Sequence, residues 1–539
     1  MPFLVSVSTT ARKVSVGAFF SLLLVLGLCL HRDYGVSWDE TTDHQNGAVN
    51  GRYVAELLFP GLLRGNPKLA AIPPLANYHE NDHGVLFELP VAALGFLLTP
   101  SDSQTYFYMR HLLIFLMFVG GVWVLYQLGT IYFQSWQWGL LAALLLVLSP
   151  RFFAEAFFNG KDIPFMVCFA LAMYTLFRFI AQPTAWRMVA HAVATAAAID
   201  IRVPGIMLIA FTIGMILLEI GWAVPGRTAS PRRWLFLALL YLGLTAILVV
   251  AGWPALWTNP VAHFMQAYQS LSHFNWPAKT NFYLGHYVAV EKLPWHYIPV
   301  WLVSTTPLPY VLVALLGLAA GLYQACRKGW GSLRSATVRL ELLLAGWLFA
   351  PVIIVVALGS VLYDGWRHLY FIYPALLLWA VRGVKVLAEA VWQKQSTWKL
   401  SALGVGVFGL NALYVGGQMI QLHPYQNLYF SVLPPATAEQ LMERDYWGLG
   451  FREGLEWIAV HDTSSHITIH TPAQYPLYNN LLILNPADRA RFHYFPSPKS
   501  RYFITNFRWQ PDSYLSSLGP EVYVIRAGGI KILSVFRRP

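Results

Sequence analysis

The chain of 539 residues is 56% hydrophobic, 15% aromatic and only 12% charged, with a mean hydropathy of +0.48. Soluble domains carry about 25% charged residues, so this composition excludes a soluble globular protein and describes a polytopic membrane protein whose 21 Trp and 28 Tyr suit interfacial anchoring. The net charge of +11 fits the Lys and Arg of cytoplasmic loops better than nucleic-acid binding, and three cysteines (Cys29, Cys168 and Cys326) in or beside apolar runs provide no disulfide framework.

A membrane-crossing helix needs about 20 apolar residues. Such runs are read near 14–31, 106–128, 135–149, 162–180, 186–200, 203–222, 233–252, 298–324, 339–360, 366–388 and 398–420, about eleven in all. The first reads as an uncleaved span: no small-residue cleavage site follows it, and Leu28 before Cys29 argues against a lipoprotein signal. Residues 85–99, which include Glu88 and Pro90, read as an interfacial or re-entrant helix. Basic residues recur in every second loop: Arg12 and Lys13, then Arg178 and Arg187, Arg227 to Arg233, Arg327 to Arg339, and Arg382 to Lys399; the short loop near 129–134 is the exception. This positive-inside pattern puts the N-terminus in the cytoplasm and the C-terminal tail outside.

Three larger outer pieces follow from that topology: loop one over about 32–105, an aromatic loop over about 253–297, and the tail from 422 to 539. The tail holds a helical pattern in GFREGLEWIAV and strand patterns in SHITIH, RYFITN, EVYVIR and GIKILSV, enough for one small α/β domain. The expected architecture is an α-helical membrane module over 1–421 with an extracytoplasmic α/β domain over 422–539.

Ionisable residues at membrane depth mark function, and here they gather on one side. Loop one contributes Asp39, Glu40, Asp43, His79, Glu80, Asp82, His83 and Glu88. SPRFFAEAFFNGKDIPF contributes Arg151, Glu155, Lys161 and Asp162; AIDIRVPG contributes Asp200 and Arg202; and LYDGWRHLYFIYP contributes Tyr363, Asp364, Arg367 and His368. Simpler readings stand beside the functional one. Asp39-Glu40 can cap an interfacial helix, Lys161-Asp162 can be a surface pair, and Arg367 can snorkel to lipid headgroups. His79 and His83 have an i, i+4 spacing compatible with zinc, but NYHENDHG is turn-rich and no HExxH is present, so polar contacts are favoured.

A first span followed by a large outer loop that opens on Asp39-Glu40, then NGKDIPF, YDGWRHLYFIYP and HPYQNLYF…RDYWGLGFREGLEWI, resembles the GT-C glycosyltransferases over most of 10–460. The similarity is greatest to the protein O-mannosyltransferases of glycosyltransferase family 39 and the bacterial aminoarabinose transferases. It implies a multi-pass glycosyltransferase of the bacterial inner (plasma) membrane that moves a hexosyl or pentosyl group from a polyprenyl-phosphate-sugar donor to a glycolipid, polysaccharide or protein acceptor at the outer face. It further implies Asp39 as general base with inversion of the anomeric centre, and Glu40 and Asp162 as further catalytic acids. Arg367, Arg202, Lys161 and Tyr363 are implied as donor-phosphate holders, and Asp82, His83 and His368 as acceptor or secondary residues. No cofactor is required by this scheme, and a divalent metal on Asp39 and Asp162 is left open. No DxD-type pair of the metal-dependent oligosaccharyltransferases is seen, and the tail is unlike the lumenal domain of eukaryotic mannosyltransferases, which leaves the acceptor open.

A multipass transporter or flippase is the alternative; it predicts midplane charges and inverted repeats, whereas the charges here sit at loop boundaries on one side and no repeat is seen. A lipid-linked polysaccharide ligase shares the donor logic but places its long outer loop late in the chain.

Overall fold

The computed structural model describes residues 9–61, 66–78, 80, 82–99, 102–222, 229–272, 278–496, 499–508 and 518–538; His79 lies outside them. Among these, nine helices are long and apolar enough to cross a membrane, or ten if a bent pair counts as one span. Three of the eleven expected spans take another form. Residues 135–149 become Trp136–Val147, joined at 69° to Pro150–Phe158, because Pro150 has no N–H to continue the ladder and the Ser149 hydroxyl donates back to the Leu145 carbonyl at 2.7 Å. The run at 186–200 is the 15-residue Ala185–Ile199, too short to cross alone. The run at 298–324 divides at Pro307 into Tyr297–Thr305 and Leu308–Lys328. Glu88–Leu98 is a short apolar helix, in the segment read as interfacial or re-entrant.

Ser103–Phe133, Asp162–Ala181 and Arg367–Trp392 are the most deeply enclosed spans, while Thr9–Leu30, Pro231–Gly252 and Trp398–Leu422 expose most of their surface. That exposed apolar surface is what a helix facing lipid tails requires. Leu308–Lys328 and Tyr373–Trp392 pack at backbone distance through paired glycines: a Cβ at Gly383 would stand 1.8 Å from the Val313 carbonyl oxygen, and one at Gly317 2.2 Å from that of Trp379. Small residues at such crossings allow the close approach that holds helices together in lipid.

The aromatic loop read as outer carries a hairpin, β1 (Thr280–Tyr283) with β2 (His286–Ala289). The C-terminal residues form a five-stranded mixed sheet from β3 (Ile467–His470), β4 (Phe492–Tyr494), β5 (Tyr502–Thr505), β6 (Glu521–Ala527) and β7 (Ile530–Arg537), in the order β4-β3-β5-β7-β6. β3 runs parallel to β4 and β5, and β7 antiparallel to β5 and β6. Gly450–His461 lies on this sheet, with Gly454 against Leu533, Ile504 and Val535. The four strand patterns and the helix read from the tail are all present.

Candidate active site

Asp39 stands at the N-cap of Glu40–Leu58, yet its side chain makes no capping hydrogen bond. Its Oδ2 instead accepts from Arg367 Nη1 at 2.8 Å. The same Nη1 reaches Asp162 Oδ2 at 3.2 Å, and Nη2 reaches Asp364 Oδ2 at 3.0 Å. Arg202 hydrogen-bonds the other oxygen of Asp162. Four residues from separate parts of the chain thus form one continuous network, Asp39–Arg367–Asp162–Arg202.

Local sequence explains how each arm is placed. Asn159 accepts from the backbone N–H of Lys161 and Asp162 at 3.3 and 2.8 Å, and its amide donates to Glu155 at 2.8 Å and Asp162 at 3.1 Å. NGKD is therefore an Asn-closed turn into Asp162–Ala181, with Asp162 where an acid favours a helix N-terminus. Gly160 packs there against the Arg110–Glu88 pair, which a Cβ would crowd. Asp364 (φ +58°) and Gly365 (φ +73°) make the left-handed turn that presents Arg367. The Arg367 guanidinium lies over the rings of Tyr363 (5.2 Å) and Trp447 (4.8 Å). It is buried and serves three carboxylates, not lipid headgroups.

Two side chains at this network are partly open. The Asp39 side chain is 25% exposed and that of Lys161 20%, whereas Asp162 is 1% and Arg367 3% exposed. Lys161 pairs with Asp43 at 2.9 Å rather than with its neighbour Asp162. Burial pushes the Asp39 carboxyl up, but the charges of Arg367, Lys161 and Arg508 outweigh it and hold the group below the usual carboxylate range. Burial, then Arg367, brings Arg202 down to about 10, still a cation at neutral pH. Burial opposes the charge on Lys161, but Asp43 and Asp39 outweigh it and raise its proton affinity.

Glu40, adjacent in sequence, belongs to a second cluster. Its Oε2 accepts from the Ser37 N–H at 2.7 Å, and its Oε1 faces His111 Nε2 at 3.2 Å and Arg110 Nε at 3.4 Å. Arg110 in turn forms a two-pronged pair with Glu88 at 2.5 and 2.8 Å. Glu40 is fully buried, so this cluster ties loop one to Ser103–Phe133. Asp82 and His83 form another pair, with Nδ1 2.7 Å from Asp82 Oδ1, and Ser270 donates to Asp82 at 2.7 Å. Burial, then the charge of Lys161, lowers His83, so the ring is neutral at pH 7. With its Nδ1–H donated to Asp82, its Nε2 is an acceptor. The donors from His83 and Ser270 overcome burial to hold Asp82 at about 2. Asp82 lines a cavity of about 500 Å³ between loop one and the 253–270 segment, walled also by Tyr53, Tyr78, Trp253, His263 and Gln266. The Lys161 charge acts on Tyr78, Asp82 and His83 alike. The His368 ring stands edge-on to Tyr363 at 4.6 Å, and its Nδ1 is buried without a hydrogen-bond partner. Among the described residues no group of three or more His, Cys, Asp or Glu side chains is placed to hold a metal ion.

The structure also brings in residues to which the sequence reading gave no role. Arg508 hydrogen-bonds Asp364 and lies over the Trp38 ring at 4.7 Å. Trp447 stacks on Arg367, and Arg110 joins Glu40 to Glu88. Nothing in the local sequence of Arg508 signals this position, about 140 residues from Asp364.

Residues 89–253 match the family model of the dolichyl-phosphate-mannose-protein mannosyltransferases. No curated protein matches the chain in sequence. In three dimensions the chain is similar to ArnT from Cupriavidus metallidurans in the apo state, at 13% identity and a TM-score of 0.50, covering 97% of this chain and 98% of that one. The same protein bound to undecaprenyl phosphate aligns at 13% identity and 0.48, covering 98% of each chain. Archaeal oligosaccharyltransferase AglB from Archaeoglobus fulgidus, in complex with an inhibitory peptide and a dolichol-phosphate, aligns at 10% identity and 0.47, covering 91% of this chain and 69% of that one. The resemblance to the GT-C glycosyltransferases therefore holds at the level of the fold, and the chain is a multi-pass membrane protein with a GT-C-like architecture.

Proposed function

We propose that this chain is a membrane glycosyltransferase that moves a sugar from a polyprenyl-phosphate carrier to an acceptor at the outer face of the bacterial inner membrane. The observation that carries the reading is the Asp39–Arg367–Asp162–Arg202 network, whose more exposed carboxylate, Asp39, stands within the influence of the partly open cation Lys161. The match to dolichyl-phosphate-mannose-dependent enzymes supports the lipid-phosphate half of the reading.

The chemistry follows from the charges. A departing lipid phosphate needs no strong acid but does need fixed cations, which are most effective when preorganised. Lys161 is the accessible one, with Arg202 and Arg367 behind it, Arg367 lying over the rings of Tyr363 and Trp447. Arg367 takes Oδ2 of Asp39, leaving Oδ1 to receive the acceptor proton as the hydroxyl attacks the anomeric carbon. One displacement without a covalent intermediate inverts that centre. Asp162 orients Arg202 and Arg367, and Glu40 holds the Asp39 loop. The cavity lined by Asp82, which His83 holds from behind, is the acceptor side, its Tyr and Trp rings and amide suited to a hydroxyl-rich group.

The same reading sets the topology. The site lies at the end of the bundle that meets the C-terminal sheet region, through Arg508 and Asp364. Arg187, which donates to the Arg178 carbonyl, and Arg233, which donates to that of Pro183, lie at the other end of the helices. We place the basic end and the N-terminus in the cytoplasm, and the site and residues 422–539 outside, with residues 1–421 as the membrane module.

The test is transfer of labelled sugar from a panel of polyprenyl-phosphate sugars by purified protein, with membrane extract as acceptor source, beside Asp39→Asn and with and without chelator. Asp39-dependent transfer supports the reading, and the chelator arm reads metal dependence. Vectorial uptake of an unmodified lipid-linked sugar, with no transfer, would favour the transporter.

A further inference from the structure

The Asp39–Arg367 pair is held from both sides by the C-terminal region. On the Arg367 side, Arg508 hydrogen-bonds Asp364, the carboxylate that anchors Arg367 Nη2 at 3.0 Å. Arg508 is itself fixed by Glu443 at 3.3 Å from its Nε, by a 2.9 Å hydrogen bond to the Tyr446 carbonyl, and by the Trp38 ring at 4.7 Å. On the Asp39 side, the Asn480 amide oxygen accepts from the Val36 N–H at 2.9 Å, and its nitrogen donates to the Val36 carbonyl at 3.0 Å. Asn479 donates to the carbonyls of Ser37 and Trp38 at 2.8 and 3.1 Å and accepts from the Thr41 hydroxyl at 2.9 Å. The Trp38 N–H donates to the Trp447 carbonyl at 3.0 Å. Residues 36–38, immediately before Asp39, are therefore bound by a side chain or carbonyl of the C-terminal region at every position.

We infer that the C-terminal region is a positioning element of the reaction centre, with Arg508 the residue that sets Arg367 through Asp364, and Asn479 and Asn480 the residues that set the Asp39 backbone. The inference rests on the proposed transfer reaction for its kinetic readout only. An isolated surface domain would not place buried, charge-bearing or amide side chains on the immediate supports of both partners of an ion pair in the membrane module. Base and cation must be held to a fraction of an ångström for in-line attack, and misplacement by about 1 Å costs about 10²-fold in rate. Arg508 also contributes charge. Asp39 is faced by Arg367 and Lys161 as well as Arg508, with Asp43, Asp162, Asp364 and Glu443 opposing them and Arg202, Tyr363 and Tyr446 nearby.

The experiment compares full-length wild type, Arg508→Gln, Arg508→Lys and Asn479→Ala in nanodiscs. Each is followed by thermal melting, by the pH profile of sugar transfer, and by hydrogen–deuterium exchange of residues 36–43. Arg508→Gln is expected to lose about 10²-fold in kcat with the donor KM little changed, and to move the acid limb of the profile upward because one cation near Asp39 is gone. Arg508→Lys keeps the charge without the fork that spans Asp364 and Glu443, so it restores the acid limb but only part of kcat, a split that a merely structural role does not produce. Wild-type kcat and acid limb in a folded Arg508→Gln overturn the inference. If Arg508→Gln does not fold, Arg508→Lys and Asn479→Ala carry the comparison. If wild type transfers from no donor, the proposed function fails, and exchange decides the inference without substrate: faster exchange of 36–43 in Asn479→Ala and the Arg508 variants sustains it, and unchanged exchange overturns it.

Discussion

Asp39→Asn is the most informative single change. The substitution keeps the shape of the side chain and an oxygen for the 2.8 Å hydrogen bond from Arg367, and removes one negative charge. Arg367 retains Asp162 at 3.2 Å and Asp364 at 3.0 Å, so no buried cation is stranded. Asp39 is the most exposed of the three carboxylates around Arg367, so the change in fold stability is expected within about 1 kcal/mol, as for partly exposed pairs. The chemical step, by contrast, loses its proton acceptor, which costs about 10²–10⁴ in rate, or about 3–5 kcal/mol of barrier. Single-turnover transfer from a polyprenyl-phosphate sugar, run beside a melting curve and donor binding, separates these terms. The expected result is slow transfer with melting and donor binding close to wild type. Transfer at the wild-type rate would refute the assignment of the base. A large fall in melting temperature would refute the argument that Arg367 is adequately held by its other two carboxylates.

Arg367→Gln should have the opposite signature: it leaves Asp39, Asp162 and Asp364 without their shared cation, and removing one partner of a buried ion pair costs about 3–5 kcal/mol, readable as a fall in melting temperature or loss of folded yield. Lys161→Met removes the open cation, which is 20% exposed and paired to Asp43; donor binding by titration with undecaprenyl phosphate should weaken about tenfold, or about 1.4 kcal/mol, with some fall in melting temperature, because the buried Asp43 is left with Arg110 at 3.9 Å as its cation. Because the folded Asp39 and Asp82 carboxyls sit below their usual range, their contribution to stability is complete above about pH 4, the unfolded carboxylate value, and is lost as pH falls through the folded values. Melting temperature should therefore hold down to about pH 4 and fall below it, and the acid limb of transfer in wild type should lie lower than an ordinary carboxylate would place it.

Some of this architecture is carried by local signals. A run of about 20 apolar residues has one low-energy option in lipid, a helix with its backbone hydrogen bonds internal, so the long spans, Thr9–Leu30 and Pro231–Gly252 among them, are readable one at a time. The strand patterns of the tail are readable for the same reason, since alternation along SHITIH or GIKILSV reports two faces of a sheet. Shorter segments resist that reading. Whether 135–149 crosses straight or turns 69° at Pro150, and whether 185–199 crosses at all, depends on the neighbours that bury them.

Charge at the loop ends was likewise visible, because an ionisable group near a membrane needs a partner wherever it sits. Which partner it takes is a tertiary matter. Asp39 and Glu40 are adjacent in the chain yet point into different networks, one to Arg367 and the other to His111 and Arg110. Lys161 and Asp162 are adjacent yet pair with Asp43 and with Arg202 and Arg367. Arg508 meets Asp364, 144 residues earlier in the chain, only because the segment after β5 docks on the helices. Hydropathy and alternation are sums over neighbours in sequence, and so the sequence by itself determines the membrane class, the long helices and the strands of the tail. Ion pairing falls off within a few ångströms and is blind to sequence distance, so the identity of each pair, the two open side chains and the part played by the C-terminal region were decided only when the helices packed.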